Sequence, residues 1–170
     1  MKFENQDRNK TIVMMKRILF ILTMLAIVAG ASAQEAYNEA IRMAKAVADD
    51  TSRSLDERRI ATFKKDALYY LGSQSYKLTP DSSATMLDYQ ALALFQFINL
   101  FQGSLAMASK KNRGTIIELF KSVSLAHPRF HDPNKEYVMA YITTEGFLTK
   151  FSLDTDWVAA YNDIRKRLSR

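Results

Sequence analysis

The amino-acid sequence predicts an all-α fold that follows an N-terminal secretory signal peptide. Apolar residues recur at helical spacing along nearly the whole chain after residue 34. No segment shows a convincing apolar–polar alternation of the kind found in half-buried strands, and capping patterns divide the chain into helices joined by short loops. We expect about six antiparallel helices, arranged as a compact helical bundle or as three stacked helical hairpins.

The segment before residue 34 has the three parts of a cleavable secretory signal peptide. Lys16 and Arg17 give it a basic start, an apolar stretch runs from 18 to 28, and the run 31–33 (Ala-Ser-Ala) supplies the small side chains of a cleavage site. The apolar stretch is shorter than the about 20 residues of a membrane-spanning helix, which favours cleavage over anchoring. Three methionines are compatible with the start of translation: Met1, Met14 and Met15.

Cleavage between Ala33 and Gln34 divides the chain into two parts. Residues 1–33 form the leader and signal, and residues 34–170 form a single all-α domain whose 137 residues suffice for one hydrophobic core. The sequence therefore predicts an exported protein of the periplasm or the extracellular space, with no stable membrane anchor once the signal is removed. The oligomeric state stays open.

Charge and cysteine content exclude several function classes. The whole chain carries a net charge of +6, but residues 1–33 hold five basic and two acidic side chains, which leaves 19 basic and 16 acidic ones and a net charge of +3 after cleavage. This excess is small and scattered, so we expect no nucleic-acid partner. The chain has no cysteine, which excludes disulfides, thiolate nucleophiles, zinc–thiolate centres and a lipid-attached cysteine. We expect no cofactor and no metal.

The first helix is predicted over residues 35–50, where small side chains form one face. Alanine recurs at every fourth position, at Ala36, Ala40, Ala44 and Ala48. Residues at this spacing lie on the same side of a helix. Their small size allows a neighbouring helix to approach closely.

The second helix is predicted to begin after Ser54 and to end at about Lys77. Ser54 and Glu57 match a capping box, in which each side chain binds the backbone N–H of the other residue. The apolar stripe of this helix consists of Ile60, Phe63, Ala67, Tyr70 and Leu71. We assign five charged residues to the opposite face: Arg58, Arg59, Lys64, Lys65 and Asp66. We expect a close packing contact at Gly72 and an exposed ring at Tyr69, which lies off the apolar stripe.

The third helix, predicted over residues 84–109, is expected to be the central helix of the domain. No charged residue occurs from 89 to 109, and apolar side chains cover most of the circumference, which is typical of a buried helix. Gln96, Asn99 and Gln102 recur at intervals of three and share one side, which we expect to contact water or a polar group of the bundle. A membrane-spanning alternative would place these amides in hydrocarbon at a high cost.

Three further helices are predicted in the rest of the chain. The fourth begins with a second capping box, formed by Thr115 and Glu118, and ends before Pro128. The fifth is expected to begin at Asp132-Pro133, where Asp suits the N-cap and Pro the first helical position. Its apolar side chains are Tyr137, Val138, Tyr141, Ile142 and Leu148. The sixth opens at residues 154–156, with acids at its start and basic residues at its end, as the helix dipole favours.

The segment 127–133 holds the only local cluster of side chains suited to chemistry. It contains both histidines of the chain, His127 and His131, together with Asp132. A His-x-x-x-His pair on one helix face can bind a metal. Here Pro128 interrupts the helix, so the spacing no longer places both rings on one face. We therefore expect His127 at a helix end, where its charged form suits the dipole, and Asp132 at a helix start. The weak candidates for ligand contacts are His127, His131, Asp132, Gln96, Asn99 and Tyr69, and no residue is assigned as catalytic.

The sequence favours recognition over catalysis. It contains no phosphate-binding glycine loop, nucleophile elbow, His-Glu-x-x-His pair or calcium-loop pattern, and helical-hairpin surfaces commonly serve binding. In its signal, its lack of cysteine and its helical pattern, the chain resembles small exported proteins of Gram-negative bacteria. We expect a non-catalytic module that binds another protein or an envelope component. The alternatives are a small-molecule-binding domain with a pocket beside the third helix and, less favoured, a hydrolase-type enzyme that uses His127, His131 and Asp132.

Overall fold

Helices dominate the computed structural model, which describes residues 35–77, 80–134, 139–144 and 147–169, and the predominantly helical fold predicted from the sequence is confirmed. The described elements are five α-helices, a single turn of 3-10 helix and two strands. In chain order they are α1 (Glu35–Asp49), α2 (Leu55–Gln74), the 3-10 turn (Ser75–Lys77), α3 (Pro80–Met107), α4 (Arg113–Ala126), β1 (Met139–Thr144), β2 (Phe147–Ser152) and α5 (Trp157–Leu168). The predicted signal peptide and its cleavage position at Ala33 and Gln34 lie outside the described residues.

Helices α1 and α2 pack closely because α1 offers a face of alanines. All four alanines of the predicted face are buried: Ala36, Ala40, Ala44 and Ala48. The Tyr37 hydroxyl of α1 donates a hydrogen bond to the Leu68 carbonyl oxygen of α2 at 2.8 Å. A side chain at Gly72 would overlap this hydroxyl, so the close contact predicted at Gly72 is confirmed. Burial raises the pKa of Tyr37.

The start of α2 is stabilised by the predicted capping box. The Glu57 N–H donates to Ser54 Oγ at 3.3 Å, and the Ser54 N–H donates to a Glu57 carboxylate oxygen at 3.1 Å. These two bonds satisfy backbone donors that the first turn of a helix otherwise leaves without a partner. The local sequence therefore fixes where α2 begins.

The assignment of Lys64 to the polar face of α2 is wrong. Its side chain is buried, its Nζ donates to Asn99 Oδ1 of α3 at 3.2 Å, and Nζ lies 4.4 Å from the centre of the Phe95 ring. Lys64 follows the buried Ile60 by four residues and precedes the buried Ala67 by three. The helical repeat therefore places it on the apolar stripe despite its charge. Burial lowers the pKa of Lys64 to about 8.

Helix α3 is the centre of the bundle, as predicted. It contacts each of the other four described helices, and Leu94, Phe97, Ile98 and Phe101 are buried along it. Six aromatic rings from five elements meet around it at centroid distances of 5.2–6.1 Å: Phe63, Phe97, Phe101, Phe120, Phe151 and Trp157. Most of these rings pack edge to face, which suits the aromatic quadrupole. None of the described helices combines the length and the apolarity needed to cross a membrane.

A β-hairpin stands where the fifth helix was predicted, so that helix and the expected lack of strands are wrong. Strands β1 and β2 pair antiparallel, with Met139 opposite Ser152 and Thr144 opposite Phe147. Of the residues assigned to the helix, Tyr141, Ile142 and Leu148 belong to the strands, while 137 and 138 lie outside the described residues. The hairpin sequence is rich in β-branched and aromatic residues, which favour strands.

Packing explains why this segment is extended. Strand β1 lies against α2, and β2 lies against α4. Phe151 of β2 is buried in the aromatic cluster, with its ring 5.2 Å from that of Phe101. Tertiary contacts of this kind decide the state of segments whose local preference is weak.

Helix α4 begins three residues before the first helical position predicted for it, which follows the predicted N-cap Thr115. It starts at Arg113, whose N–H donates to the Ser109 carbonyl oxygen at 3.2 Å, and Asn112 occupies the N-cap without a side-chain hydrogen bond. Thr115 therefore lies inside the helix, and the capping box predicted between Thr115 and Glu118 does not form.

Candidate functional site

A solvent-open groove lies where the first half of α3 meets the start of α5. Its volume is about 490 Å³, which falls in the range of ligand-binding clefts. Helix α3 contributes one wall and α5 the other, and Arg129 comes from the loop after α4. The groove therefore depends on three segments that are distant in the sequence.

The walls of the groove are apolar and partly exposed. Tyr89 of α3 is 59% exposed and Val158 of α5 is 36% exposed, and Met86 and Ala159 lie beside them. Exposed apolar side chains that are grouped around a concave surface are typical of places where a partner binds.

The polar side of the groove is a hydrogen-bonded group of Gln90, Arg129 and Asp156, which we call the polar cluster. Gln90 Nε2 donates to Asp156 Oδ1 at 2.9 Å, and Arg129 Nη1 donates to Asp156 Oδ2 at 2.7 Å. Asp156 is also the N-cap of α5, because its Oδ1 accepts the Ala159 N–H at 3.0 Å. Gln90 Oε1 accepts the Trp157 N–H at 2.6 Å. These bonds fix the start of α5 to α3.

The Asp156 carboxylate is held in its charged form and already accepts three hydrogen bonds. Burial raises its pKa, but hydrogen bonds from the Ala159 N–H, the Gln90 amide and the Arg129 guanidinium more than offset burial, and the net pKa lies below its ordinary value. Because three donors occupy this carboxylate, it has little capacity left to accept a hydrogen bond from a ligand.

Arg129 has hydrogen-bonding capacity that the described part of the protein does not use. A guanidinium carries five N–H donors, and the bond to Asp156 uses one of them. The other donors have no hydrogen-bond partner among the described residues. The Arg129 side chain is 32% exposed, so a ligand in the groove can reach these donors.

A buried carboxylate positions the backbone from which Arg129 extends. Asp154 is 2% exposed. Its Oδ1 accepts the N–H groups of Arg129 and Phe130 at 3.1 and 2.7 Å, and its Oδ2 accepts the Asp132 N–H at 2.8 Å. His131, with a φ of 53°, adopts the left-handed geometry that turns neighbouring N–H groups toward one anion. The loop thus wraps around Asp154.

The hydrogen bonds of the structure do not bring His127, His131 and Asp132 together. His127 ends α4, as predicted, and its Nε2 lies 3.0 Å from Asp163 Oδ2 of α5. The Asp132 carboxylate accepts the Tyr70 hydroxyl at 3.1 Å, and His131 is exposed. Across the described ranges, no hydrogen bond joins two members of this predicted cluster.

The prediction that a helix begins at Asp132 is wrong. Residues 131–134 are not helical, and Asp132 Oδ1 accepts the Asn134 N–H at 2.9 Å, a local bond typical of Asp in turns. The backbone N–H groups of this loop donate to the Asp154 carboxylate instead of forming the hydrogen bonds of a helix. The last helix has Asp156 as its N-cap, within the segment in which its start was predicted.

The other candidate residues are not part of the groove. Tyr69 is 48% exposed, as predicted. Gln96 is exposed and Asn99 accepts a hydrogen bond from Lys64, so this side of α3 meets water and a polar group, as predicted. Within the described ranges, no group of three or more His, Cys, Asp or Glu side chains is placed to hold a metal ion.

Sequence reasoning missed the polar cluster because its members are far apart in the chain. Gln90 and Asp156 are 66 residues apart, and Arg129 and Asp156 are 27 apart. The one local signal is Gln90, an amide in a helix that is otherwise apolar on its buried side. A buried amide requires a partner, but the sequence does not say which one.

A comparison of the chain with protein-family models, with curated proteins and with solved structures finds no match. A functional assignment therefore has to rest on the groove and on the chemistry of its residues.

Proposed function

We propose that this protein is an exported, non-catalytic binding module, and that the groove between α3 and α5 is its docking surface for another protein. The observation that carries this proposal is the exposure of Tyr89 beside a polar cluster that is already fixed in place. Tyr is enriched at interfaces because its ring is apolar and its hydroxyl forms hydrogen bonds. A preorganised surface also loses little entropy on binding.

The open form of the groove favours a protein segment over a small molecule. Small-molecule sites enclose most of the ligand surface, whereas here Tyr89 and Val158 are exposed on the two walls. The volume of about 490 Å³ also suits a small molecule, which makes a small-molecule-binding domain the second candidate. Native mass spectrometry of the purified protein separates the two. We expect the mass of the chain alone, and a retained small molecule would favour the second candidate.

A non-catalytic role is supported by how the titratable side chains His127, Asp132 and Asp156 are used. His127 is paired with Asp163, and the carboxylate of Asp132 accepts a bond from the Tyr70 hydroxyl. Asp156 accepts three hydrogen bonds. A general base has to reach a proton of the substrate, and side chains engaged in this way are better suited to holding the fold.

Export is proposed from the signal peptide predicted before residue 34. The intact mass of the protein recovered from the periplasm or the medium tests it. We expect a chain that begins at Gln34, and a mass that retains Lys16 and Arg17 would contradict cleavage.

Photo-crosslinking in the cells that make the protein tests the docking surface. A benzophenone amino acid replaces Tyr89 in one version and Met107 in the other. Both residues lie on α3 and are exposed, at 59% and 84%, and they are about 27 Å apart along the helix. We expect a discrete adduct from position 89 and none from position 107. Equal adducts from both positions, or none from position 89, would contradict the proposal.

A further inference from the structure

We propose that the groove recognises an acidic side chain flanked by apolar residues in the partner segment, and that Arg129 binds its carboxylate. This inference rests on the proposed function, since it assigns the chemistry of the segment that docks in the groove. The carboxylate is that of a side chain within the partner segment, not the one at the C-terminus of a chain.

The balance of donors and acceptors in the groove favours a ligand that accepts hydrogen bonds. Arg129 keeps guanidinium N–H groups that no described residue accepts. The Asp156 carboxylate already accepts three bonds, and Gln90 Oε1 accepts the Trp157 N–H. The polar cluster therefore has unused hydrogen-bond donors, whereas most of its acceptors are already used. A carboxylate suits these donors better than a neutral acceptor does, because charge-assisted hydrogen bonds are roughly twice as strong.

Arg129 is held so that it can bind a second carboxylate. Its Nη1 is anchored to Asp156 at 2.7 Å, and the backbone N–H groups of Arg129 and Phe130 are fixed by Asp154. A planar guanidinium binds carboxylates through paired N–H donors in a fixed geometry. The donors that Asp156 leaves free can therefore take a carboxylate of the partner without loss of the internal ion pair.

The walls of the groove define what lies beside the carboxylate in the partner. Met86, Tyr89 and Val158 line the same groove as the polar cluster, and the last two are exposed. Apolar side chains that cover them remove apolar surface from water. Because the groove is open to solvent, a chain can pass across it, which favours an acidic side chain inside a segment over a C-terminal carboxylate.

Titrations of the purified protein with short peptides, followed by NMR, test this inference. The probe is acetyl-Ala-Leu-Glu-Leu-Ala-amide, which has one acidic side chain and no free chain end. One control peptide carries Gln in place of Glu, and the other is acetyl-Ala-Leu-Leu with a free C-terminal carboxylate. We expect the Glu peptide to shift the resonances of Tyr89, Gln90 and Ala159. It should bind about tenfold more tightly than either control, because the Gln peptide lacks the charge and the free acid lacks the following apolar residue.

Matched variants test which positive charge of the protein binds the Glu side chain of the peptide. Arg129→Gln should abolish the preference for Glu over Gln, whereas Lys166→Gln, which removes one positive charge from an exposed position near the other end of α5, should retain it. Arg129→Gln also loses the bond to Asp156, so a second variant leaves the polar cluster intact. Thr85→Trp fills the groove from an exposed position and should abolish binding of the Glu peptide.

Three results would overturn the inference: equal affinity for the Glu and Gln peptides, tighter binding of the free acid, or no binding of any peptide at millimolar concentration. A discrete crosslink from position 89 together with any of these results refutes the recognition of a carboxylate by Arg129. It still supports the groove as the docking surface. Absence of that crosslink refutes the docking surface itself.

Discussion

Substitution of Lys64 by Met removes a buried positive charge and keeps a side chain of similar length. The Nζ of Lys64 contacts the Asn99 amide oxygen and the face of the Phe95 ring. Among the described residues, no carboxylate lies within ion-pair distance of it. An ammonium buried without a counter-ion is unfavourable. We therefore expect the Lys64→Met protein to be more stable than the parent at pH 7.

The size of this effect follows from the pKa of Lys64. Burial lowers that pKa from 10.5 to about 8, and one pKa unit corresponds to about 1.4 kcal/mol, so the charged side chain costs about 3 kcal/mol. The whole cost is present below pH 8. It declines as the pH rises from 8 toward 10.5, because the folded protein then buries a neutral amine. The cost that remains is that of removing the proton which the unfolded chain still holds, and it falls to about 1 kcal/mol at pH 10.

Urea unfolding of the variant and the parent at pH 7 and pH 10 measures the difference. Lys65→Met is the matched control, because the side chain of this neighbouring lysine is 26% exposed, and we expect little change at either pH. A Lys64→Met protein that is less stable than the parent at pH 7 would refute the cost assigned to the buried charge. An advantage that does not shrink from pH 7 to pH 10 would refute it as well.

Two further pairs of changes and one single change are measured by the same unfolding assay. Gly72→Ala should cost about 1–3 kcal/mol, because its methyl group overlaps a buried hydroxyl. Gly103→Ala, which has open space around it, should gain about 0.5–1 kcal/mol from helix propensity. Asp154→Ala should cost about 3 kcal/mol or more, because the Phe130 and Asp132 N–H groups lose their acceptor and the Arg129 N–H keeps only the Asp154 carbonyl oxygen at 3.3 Å, and hydrogen exchange of these amides should accelerate. Ser54→Ala should cost about 1 kcal/mol through loss of the capping box, whereas Thr115→Ala should leave the stability unchanged or slightly higher. A loss at Thr115 as large as that at Ser54 would contradict the cap assignments, and equal effects at the two glycines would contradict the packing at Gly72.

Local patterns in the sequence predict most of the helices because helix formation is largely decided within a few turns. Ser54 and Glu57 mark the start of α2, and the alanine repeat marks the buried face of α1. The same rules fail where long-range contacts decide. Phe151 draws its strand into the aromatic cluster, and the apolar spacing in that segment cannot show that its partners lie on α2 and α3.

The candidate site was harder to predict than the fold, because it depends on contacts between distant segments. Arg129 looks like one of many surface cations until the loop wraps around Asp154 and the guanidinium meets Asp156. His127 and Asp132 were predicted as candidate site residues because they are close together in the chain. In the structure each of them bonds to a side chain of a different helix. Proximity in the sequence was a poor guide to proximity in the fold.

Crosslinking from position 89 in a Thr85→Trp background tests whether the groove is the docking surface. The indole fills the groove next to the crosslinker, and an unchanged circular dichroism spectrum verifies that the helical fold is retained. We expect the adduct formed in the parent background to disappear. An adduct of undiminished yield in the Thr85→Trp protein would show that the partner binds elsewhere on the protein.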